Sequence, residues 1–579
     1  MKSNEANLDR RSFMKGAGLA GLGALAACSL GACAPSAGTG KTAEADAEAS
    51  ADEKLSQTGE GSNLIGLKDS AVELGDIEVA ETRDVDVVVV GSGMAGMAAT
   101  LAAAEEGMSV ICLEKRSALG GTSAAAEGMF GLRSQYQLDQ GYDENVDDYF
   151  KACVDYHHWT NNPRIARRFL NTAGNQVDWA MDHGMKLRAL SASWSTVPSW
   201  HVYDGKGKAV IEAFADLATK AGAEILTETP AVQLLGSDGA VTGVIARGKD
   251  GNAIQINAKA VVMGAGGYPC NREMIETYTG SRFYEGDDPM KRDNSYFGTE
   301  GRTGDGILMG QALGADLFRI GAVMADFSAI GGTRMDEENV CRNVLLVAPV
   351  LIVNESAKRF TSEALINDFV AWGESMTTQA RNFNICDYDF VVRQSKGVIA
   401  DCSGVAVKGT PYPNAVEEID AAIEADDLMI WKADTIEELA EKMGLDPVTL
   451  KDTVDHYNEM CEAGLDTDFC KETEYLIPVK TAPFYGVETH PMYMTTVGGL
   501  RIDERARVVD EPGNVIKGLY ATGSDAGGLY GYSYDVKVAA GSQQCFCVAS
   551  ARWAVEDIKE NVLGSGDGHH EAAKDMVMA

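Results

Sequence analysis

Three glycines spaced as Gly91-Ser-Gly93-Met-Ala-Gly96 follow the apolar β-branched run Val85 to Val90 and open an alanine-rich stretch. A strand, tight turn and helix in that order form a cradle for a pyrophosphate. Gly91 allows the turn, Gly93 lets backbone approach the phosphates, and Gly96 lets helix and strand close together, while the helix N-terminus offers unpaired amides and positive potential. A second apolar run, Ser109 to Leu113, ends at Glu114, at the distance where a carboxylate accepts hydrogen bonds from an adenosine ribose. Lys115, Arg116 and three further residues then lead to Gly120-Gly121-Thr122-Ser123, a second glycine turn suited to a dinucleotide longer than NAD. The chemistry these residues point to is redox chemistry on a bound dinucleotide.

Beyond this motif the chain resembles the FAD-dependent fumarate reductase and succinate dehydrogenase flavoprotein family, which includes urocanate reductases and 3-ketosteroid dehydrogenases. The resemblance spans roughly residues 82 to 560. It is carried by Val261-Val-Met-Gly264-Ala265-Gly266-Gly267, Thr303-Gly304-Asp305-Gly306 with Gly314-Ala315 downstream, Lys358-Arg359-Phe360, and Gly518-Leu-Tyr-Ala-Thr-Gly523. It implies FAD contacts at Gly91, Gly93, Ala95, Gly96, Glu114, Lys115, Gly120, Gly121, Thr122, Ser123 and Gly128. Further contacts are implied at Ala265, Gly266, Gly267, Asp305, Gly306, Gly523, Ser524, Ala540 and Gly541. The stretch Gly120 to Gly131 has no histidine at which covalently flavinylated members attach the cofactor, so the FAD is expected to be noncovalent.

The elements that must position these residues follow from where the glycine turns fall. They occur near residues 91, 121, 266 and 305, then disappear until a cluster at about 498 to 541. An α/β fold explains the gap: a Rossmann-like FAD-binding domain over 82–315 and 488–562, interrupted by an α+β capping domain over 316–487. The segment Ala231 to Ala260, alternating as in Ala253-Ile-Gln-Ile-Asn-Ala with turns at Asp238-Gly239 and Asp250-Gly251, reads as a small antiparallel meander within a mixed sheet. Thr435-Ile-Glu-Glu-Leu-Ala-Glu-Lys442-Met reads as a capped surface helix of the capping domain.

The first residues concern location. Arg10-Arg11-Ser-Phe13-Met-Lys15 before the weakly apolar Gly16 to Ala27 resembles a twin-arginine export signal, and Leu25-Ala-Ala-Cys28 and Leu30-Gly-Ala-Cys33 each resemble a lipobox. The expectation is export of a folded protein to the cell envelope and a lipid anchor on the outer face of the cytoplasmic membrane. Residues 1–33 would then be the leader, 34–81 a disordered acidic tether and 563–579 a flexible tail. A formal net charge of −36 argues against nucleic acid and against an anionic membrane surface as partners. There is no CxxCH, no CxxC and no ferredoxin-like spacing; Cys545-Phe-Cys547 is too short for a metal pair, and His157-His158 shows no third ligand. No metal is therefore expected, and a reductase of this kind must receive electrons from a cytochrome or a membrane quinol system.

The substrate is narrowed by departures from the family pattern. Fumarate-type members carry a proton-donating arginine eight residues after the Lys-Arg-Phe arginine, here Arg359; this chain has Asn367 there. Two family histidines fall at Met324 and Met494, and a further arginine at Tyr534 within Gly527-Gly-Leu-Tyr530-Gly-Tyr532-Ser-Tyr534-Asp535. These changes disfavour a small dicarboxylate. Ketosteroid dehydrogenases keep a tyrosine in that C-terminal stretch, and a phenol suits a substrate oxygen that gains charge during hydride addition. The resemblance implies an FAD-dependent reductase of an activated C=C bond in an enone or aryl acrylate, with Tyr534 as proton donor, Tyr532 and Tyr530 in support, and Asn367 and Arg359 in the site. An aryl acrylate would need a cation, for which Arg334, Arg342 and Lys537 are candidates. The alternatives are a ketosteroid dehydrogenase-like desaturase and a flavin-loaded electron-transfer protein with a decayed site.

Overall fold

The computed structural model describes residues 64–192, 197–237, 239–280, 300–330, 333–334, 339–399, 409–425 and 428–564, with 326–329 and 333–334 described by backbone alone. The leader, with Arg10, Arg11, Cys28 and Cys33, lies outside the described residues, as does the tail from 565.

The run of valines becomes the inner end of β1 (Val79–Val90), where Val87 to Val89 are wholly buried. Burial of each such side chain contributes about 1.5–3 kcal/mol. The chain turns into α1 (Met94–Glu105), returns as β2 (Val110–Leu113), passes through α2 (Val146–Tyr156) and reaches β3 (Glu224–Leu226). The expected meander follows as β4 (Ala231–Ser237), β5 (Ala240–Arg247) and β6 (Ala253–Met263). Its last strand is also the parallel neighbour of β1, so the meander grows directly out of the nucleotide-binding sheet. Helix α3 (Asp305–Ala312) closes this part of the lobe.

A second sheet begins at β7 (Val323–Ile330) and continues with β8 (Leu351–Asn354), α4 (Phe369–Thr377), β9 (Asn382–Asp387) and β10 (Ile430–Ala433). It carries α5 (Ile436–Met443) and α6 (Pro447–Ala463) and ends on β11 (Phe484–Thr496), against which β7, β9 and β10 all pair antiparallel. Thr435 caps α5 by accepting from Glu438 N at 3.1 Å, so that helix begins where its sequence signal lies, and Asp446 with Pro447 at the first helical position starts α6. The chain then re-enters the first lobe through β12 (Arg507–Val509) and β13 (Val515–Ala521), which joins β6 in parallel, and through α7 (Ser542–Asp557). The order of the main sheet is β12-β13-β5-β6-β1-β2-β3 with β4 on β5. Helix α1 is buried nearly all round between this sheet and α7, which its small alanines permit.

Two boundaries differ from expectation. The tether cannot extend to residue 81, because Leu64, Ile65 and Leu67 pack on the main core, Val72 is buried, and Arg247 pairs with Glu73 at 2.5 Å. Composition concealed this, since so short an apolar segment is held by the lobe it covers and could not fold alone. The capping sheet also runs past 487, because β11 continues to Thr496 without a break.

Candidate active site

One cavity runs from the N-terminus of α1 past the second glycine turn to the ends of β7 and β11. Its first part is lined by Gly91, Ser92, Gly93, Met94, Ala95, Glu114, Lys115, Gly120, Gly121, Thr122, Ser123 and Gly128. A Cβ added at Gly93 would meet nothing closer than 3.9 Å, and one at Gly121 nothing within 4 Å, so both glycines face open space that a cofactor can fill. At Gly96 the added Cβ would fall 1.8 Å from Gly91 O, so that glycine serves the packing of helix on turn and does not face the cavity.

Glu114 is 7 % exposed and already engaged: Oε2 accepts from Ser92 N at 3.0 Å and Ser92 Oγ at 2.5 Å, and Oε1 from Arg116 N at 2.8 Å. These bonds fix the carboxylate, whose remaining lone pairs face the cavity where the ribose belongs. Glu114→Ala removes that acceptor and its support of the glycine turn, so FAD affinity should fall by about 1.5–3 kcal/mol, read as flavin fluorescence released on dilution. Unchanged affinity would assign the ribose contact to another residue.

Asp305, Gly306, Gly267, Gly523 and Ala540 are not among the lining residues. Asp305 acts through Lys115, which it pairs at 2.7 Å, and Gly306 leaves room for Asp525, whose Oδ2 would lie 2.3 Å from an added Cβ. Asp525 escaped the sequence reading. It is fully buried and accepts from Ala265 N at 2.6 Å and Gly267 N at 2.9 Å, joining the Gly264 to Gly267 turn to the C-terminal segment. Burial, only partly offset by these amides, pushes its carboxyl up to about 6. The signal was present in Gly523-Ser-Asp525-Ala-Gly527, where an acid sits among small residues.

The far part of the cavity is lined by Ala265, Gly266, Arg302, Met324, Arg342, Phe369, Met494, Thr495, Ser524, Tyr534, Val536, Gly541, Gln543 and Gln544. Met324 pairs with Thr495 across β7 and β11, and the next pair is Ala325 with Tyr493, so Met494 is the extra residue of a β-bulge. The bulge lets the adjacent Met494 and Thr495 both reach the cavity, which plain strand alternation forbids. Arg302 donates to Met494 O at 2.6 Å and fixes the bulge. Arg342 stands on a π-helical turn (Arg342–Leu346) and is 1 % exposed.

Tyr534 is buried, and its phenol oxygen accepts from Gly541 N at 2.7 Å, the residue that precedes α7. The acceptor side of the hydroxyl is thereby used. Burial first, and then the charge of Asp535, push the phenol well above its ordinary value, so it stays protonated and able to donate. Tyr530 lies behind it, ring centroids 5.6 Å apart, bonded to Ser542 Oγ at 2.9 Å.

Four expected positions need correction. Tyr530 supports the Tyr534 ring from behind and does not line the cavity, and Tyr532 points outward, 62 % exposed, with its ring under the Arg319 guanidinium at 4.3 Å. Asn367 precedes the Asp368 cap of α4 and turns its amide to Ala364 O at 3.2 Å, leaving Phe369 to face the site. Arg359 lies in the second lobe, bonded to Glu363 and Asp466 at 2.8 Å each, away from the cavity. Of the three cations suggested for a carboxylate, Arg342 lines the cavity, Lys537 does not, and the Arg334 side chain lies outside the description.

A family model described as an FAD binding domain matches residues 86–535. The chain belongs to that family. It binds FAD, and it is an oxidoreductase acting on CH–CH groups. It is 36% identical over 468 residues to a vinyl phenol reductase of Lactiplantibacillus plantarum, which covers 79% of this chain and 92% of the relative. It is 26% identical over 472 residues to a fumarate reductase (cytochrome) of Shewanella frigidimarina, over 80% of this chain and 76% of that one. In architecture it is similar to a 3-ketosteroid delta1-dehydrogenase from Sterolibacterium denitrificans, with a TM-score of 0.66 at 19% identity over 82% of this chain and all of the other. The family member's expected mixed α/β fold is thus the fold found.

Proposed function

We propose that this flavoenzyme reduces the C=C bond of an aryl acrylate or a related aryl alkene with an acidic substituent, with an enone as the alternative acceptor and fumarate as a poor one. One observation carries the reading: Met324, Phe369, Met494 and Val536 give the far end of the cavity an apolar lining, in which Arg342 and Tyr534 supply a cation and a proton. An aromatic ring gains from the methionines and the phenylalanine, whose sulfur and ring contacts favour flat apolar surfaces. A small dicarboxylate would bury two charges against that apolar lining, where Arg302 already donates to Met494 O. The 36% identity to a vinyl phenol reductase supports an aryl alkene.

Bound FAD supplies the hydride when reduced. The protein's part is to seat the alkene, to hold its acidic end at Arg342, and to meet the negative charge that develops on the substrate with the O–H of Tyr534. Gly541 N fixes the phenol, and Ser542 together with Tyr530 keeps its ring in place. The twin-arginine and lipobox resemblances of residues 1–33 support work at the outer face of the membrane, with electrons supplied by a cytochrome or quinol system.

The test is reoxidation of the reduced flavin under anaerobic conditions by a panel of aryl acrylates, vinyl arenes, enones and fumarate. Aryl acrylates should reoxidise the flavin rapidly and fumarate scarcely. Arg342→Met should raise the KM for an aryl acrylate by about 10–150-fold, as expected for a lost charge-assisted bond of about 1.5–3 kcal/mol, and change that of a neutral enone little. Equal rates with fumarate, or an Arg342 variant indifferent to substrate charge, would overturn the assignment.

A further inference from the structure

Behind Tyr534, outside the cavity, three side chains of different chemistry converge. Cys153 on α2 and His157, the residue that ends that helix, stand one turn apart and face Asp535. Cys153 Sγ lies 3.7 Å and His157 Nε2 3.6 Å from Asp535 Oδ2, and the three donor atoms all fall within 4.8 Å of one another. All three residues are buried, the His157 side chain to 1 % exposure, and His157 Nε2 has no hydrogen-bond partner. Among the described residues this is the group of sulfur, nitrogen and carboxylate donors that converges in this way.

We propose that Cys153, His157 and Asp535 form a structural zinc site. The Cys153 thiol can donate directly to Asp535 Oδ2, and it is the His157 separation that points to a shared ion. An imidazole nitrogen at 3.6 Å is beyond a hydrogen bond, which ends near 3.2 Å. Two ligands of one tetrahedral zinc, at bond lengths of about 2.0–2.3 Å, stand about 3.3–3.8 Å apart. The two separations from Asp535 Oδ2, 3.7 and 3.6 Å, fall in that range. Binding releases the Cys153 thiol proton to solvent, so thiolate and carboxylate together neutralise the dication and leave no net charge in the interior. The fourth position of the tetrahedron goes to water.

The surroundings suit these ligands. Asp535 Oδ1 accepts from Ser542 Oγ at 2.9 Å, which holds the carboxylate with Oδ2 toward the other two donors. Asn161 Nδ2, itself bonded to Leu529 O at 3.0 Å, lies 4.0 Å from Cys153 Sγ, a donor of the kind that steadies a metal thiolate. The rings of Tyr156 and Tyr530 stand edge-on to His157 at 5.3 and 5.9 Å and keep bulk water out. A zinc here would tie α2 to the segment that carries Tyr534. No local pattern announces the site, because His157 suggests a pair with His158 while its partners lie one turn back and in the C-terminal segment.

The FAD-loaded protein tests this directly. Element analysis after gel filtration should find about one zinc per chain, either as purified or after incubation with zinc chloride, and X-ray absorption at the zinc edge should show one sulfur neighbour at about 2.3 Å with nitrogen and oxygen at about 2.0–2.2 Å. Cys153→Ser should remove the sulfur neighbour and lower retained zinc at least tenfold, with FAD content unchanged. Less than a tenth of an equivalent of zinc in the wild type after incubation would overturn the proposal. So would bound zinc without a sulfur neighbour. Both decisive readings are made on the wild type, so a variant that misfolds does not protect the idea.

Discussion

Tyr534→Phe is expected to lower turnover of the unsaturated substrate by roughly 10²–10³-fold while the protein keeps its FAD. The size follows from losing one donor to charge that exists only in the transition state. The ring stays, so its packing on Tyr530 at 5.6 Å is retained. What goes is the hydroxyl, and with it the acceptor of Gly541 N, a change of at most about 1–3 kcal/mol in local stability. Stopped-flow reoxidation of the reduced flavin separates the two effects, because lost structure would release flavin and lost catalysis would not. A fully active variant would remove Tyr534 from the chemistry and make Arg342 the first residue to test as donor.

The second large effect is on stability. Arg359→Met is expected to destabilise the protein by about 3–5 kcal/mol, the usual result of removing one partner from a buried ion cluster. The guanidinium meets Glu363 and Asp466 with two bonds each and lies 5.0 Å from the rings of both Tyr457 and Phe469. Glu363 keeps Lys471 at 3.1 Å in the variant, and Asp466 keeps backbone amides alone. Although burial by itself would raise it, Asp466 is held well below its ordinary value of 3.8 by Arg359 and the amides of Phe469 and Asp468. A carboxyl depressed in the folded state contributes stability in full above its unfolded value and loses it as pH falls below about 4. The wild type should therefore lose stability more steeply than Arg359→Met as acid is added below that point. Denaturant unfolding of the FAD-loaded proteins measures both. Unchanged stability with lost turnover would return Arg359 to the catalytic machinery.

What was legible in the sequence was whatever depends on local geometry. The Gly91 to Gly96 turn, the meander after Ala231 and the cap at Thr435 each depend on neighbours a few residues away, and each is found where its signal lies. Met324, Met494 and Tyr534 meet in one cavity although they are far apart in the chain, because the resemblance supplied the long-range pairing that local patterns lack. Asn367 and Arg359 show where that transfer fails. The helix cap at Asp368 moves the inward position on to Phe369, and a run of two acids around Arg359 in space makes it a structural cation. The bulge at Met494 has no local signature, since it is defined by its partner strand, and the acid at Asp525, though set among small residues, shows its role only through amides of a distant turn.

Strand β11 begins among the partners of the capping sheet and ends with Met494 and Thr495 in the wall of the cavity, its last residue, Thr496, accepting from Tyr268 N beside the flavin turn. The two lobes therefore share one unbroken ribbon, and a chimaera that exchanges capping lobes between relatives cannot be cut at the lobe boundary. A junction near 487 would graft a foreign lever onto the native wall; junctions outside 484–496 would carry the lever, the bulge and the substrate-facing methionine together as one transplantable part.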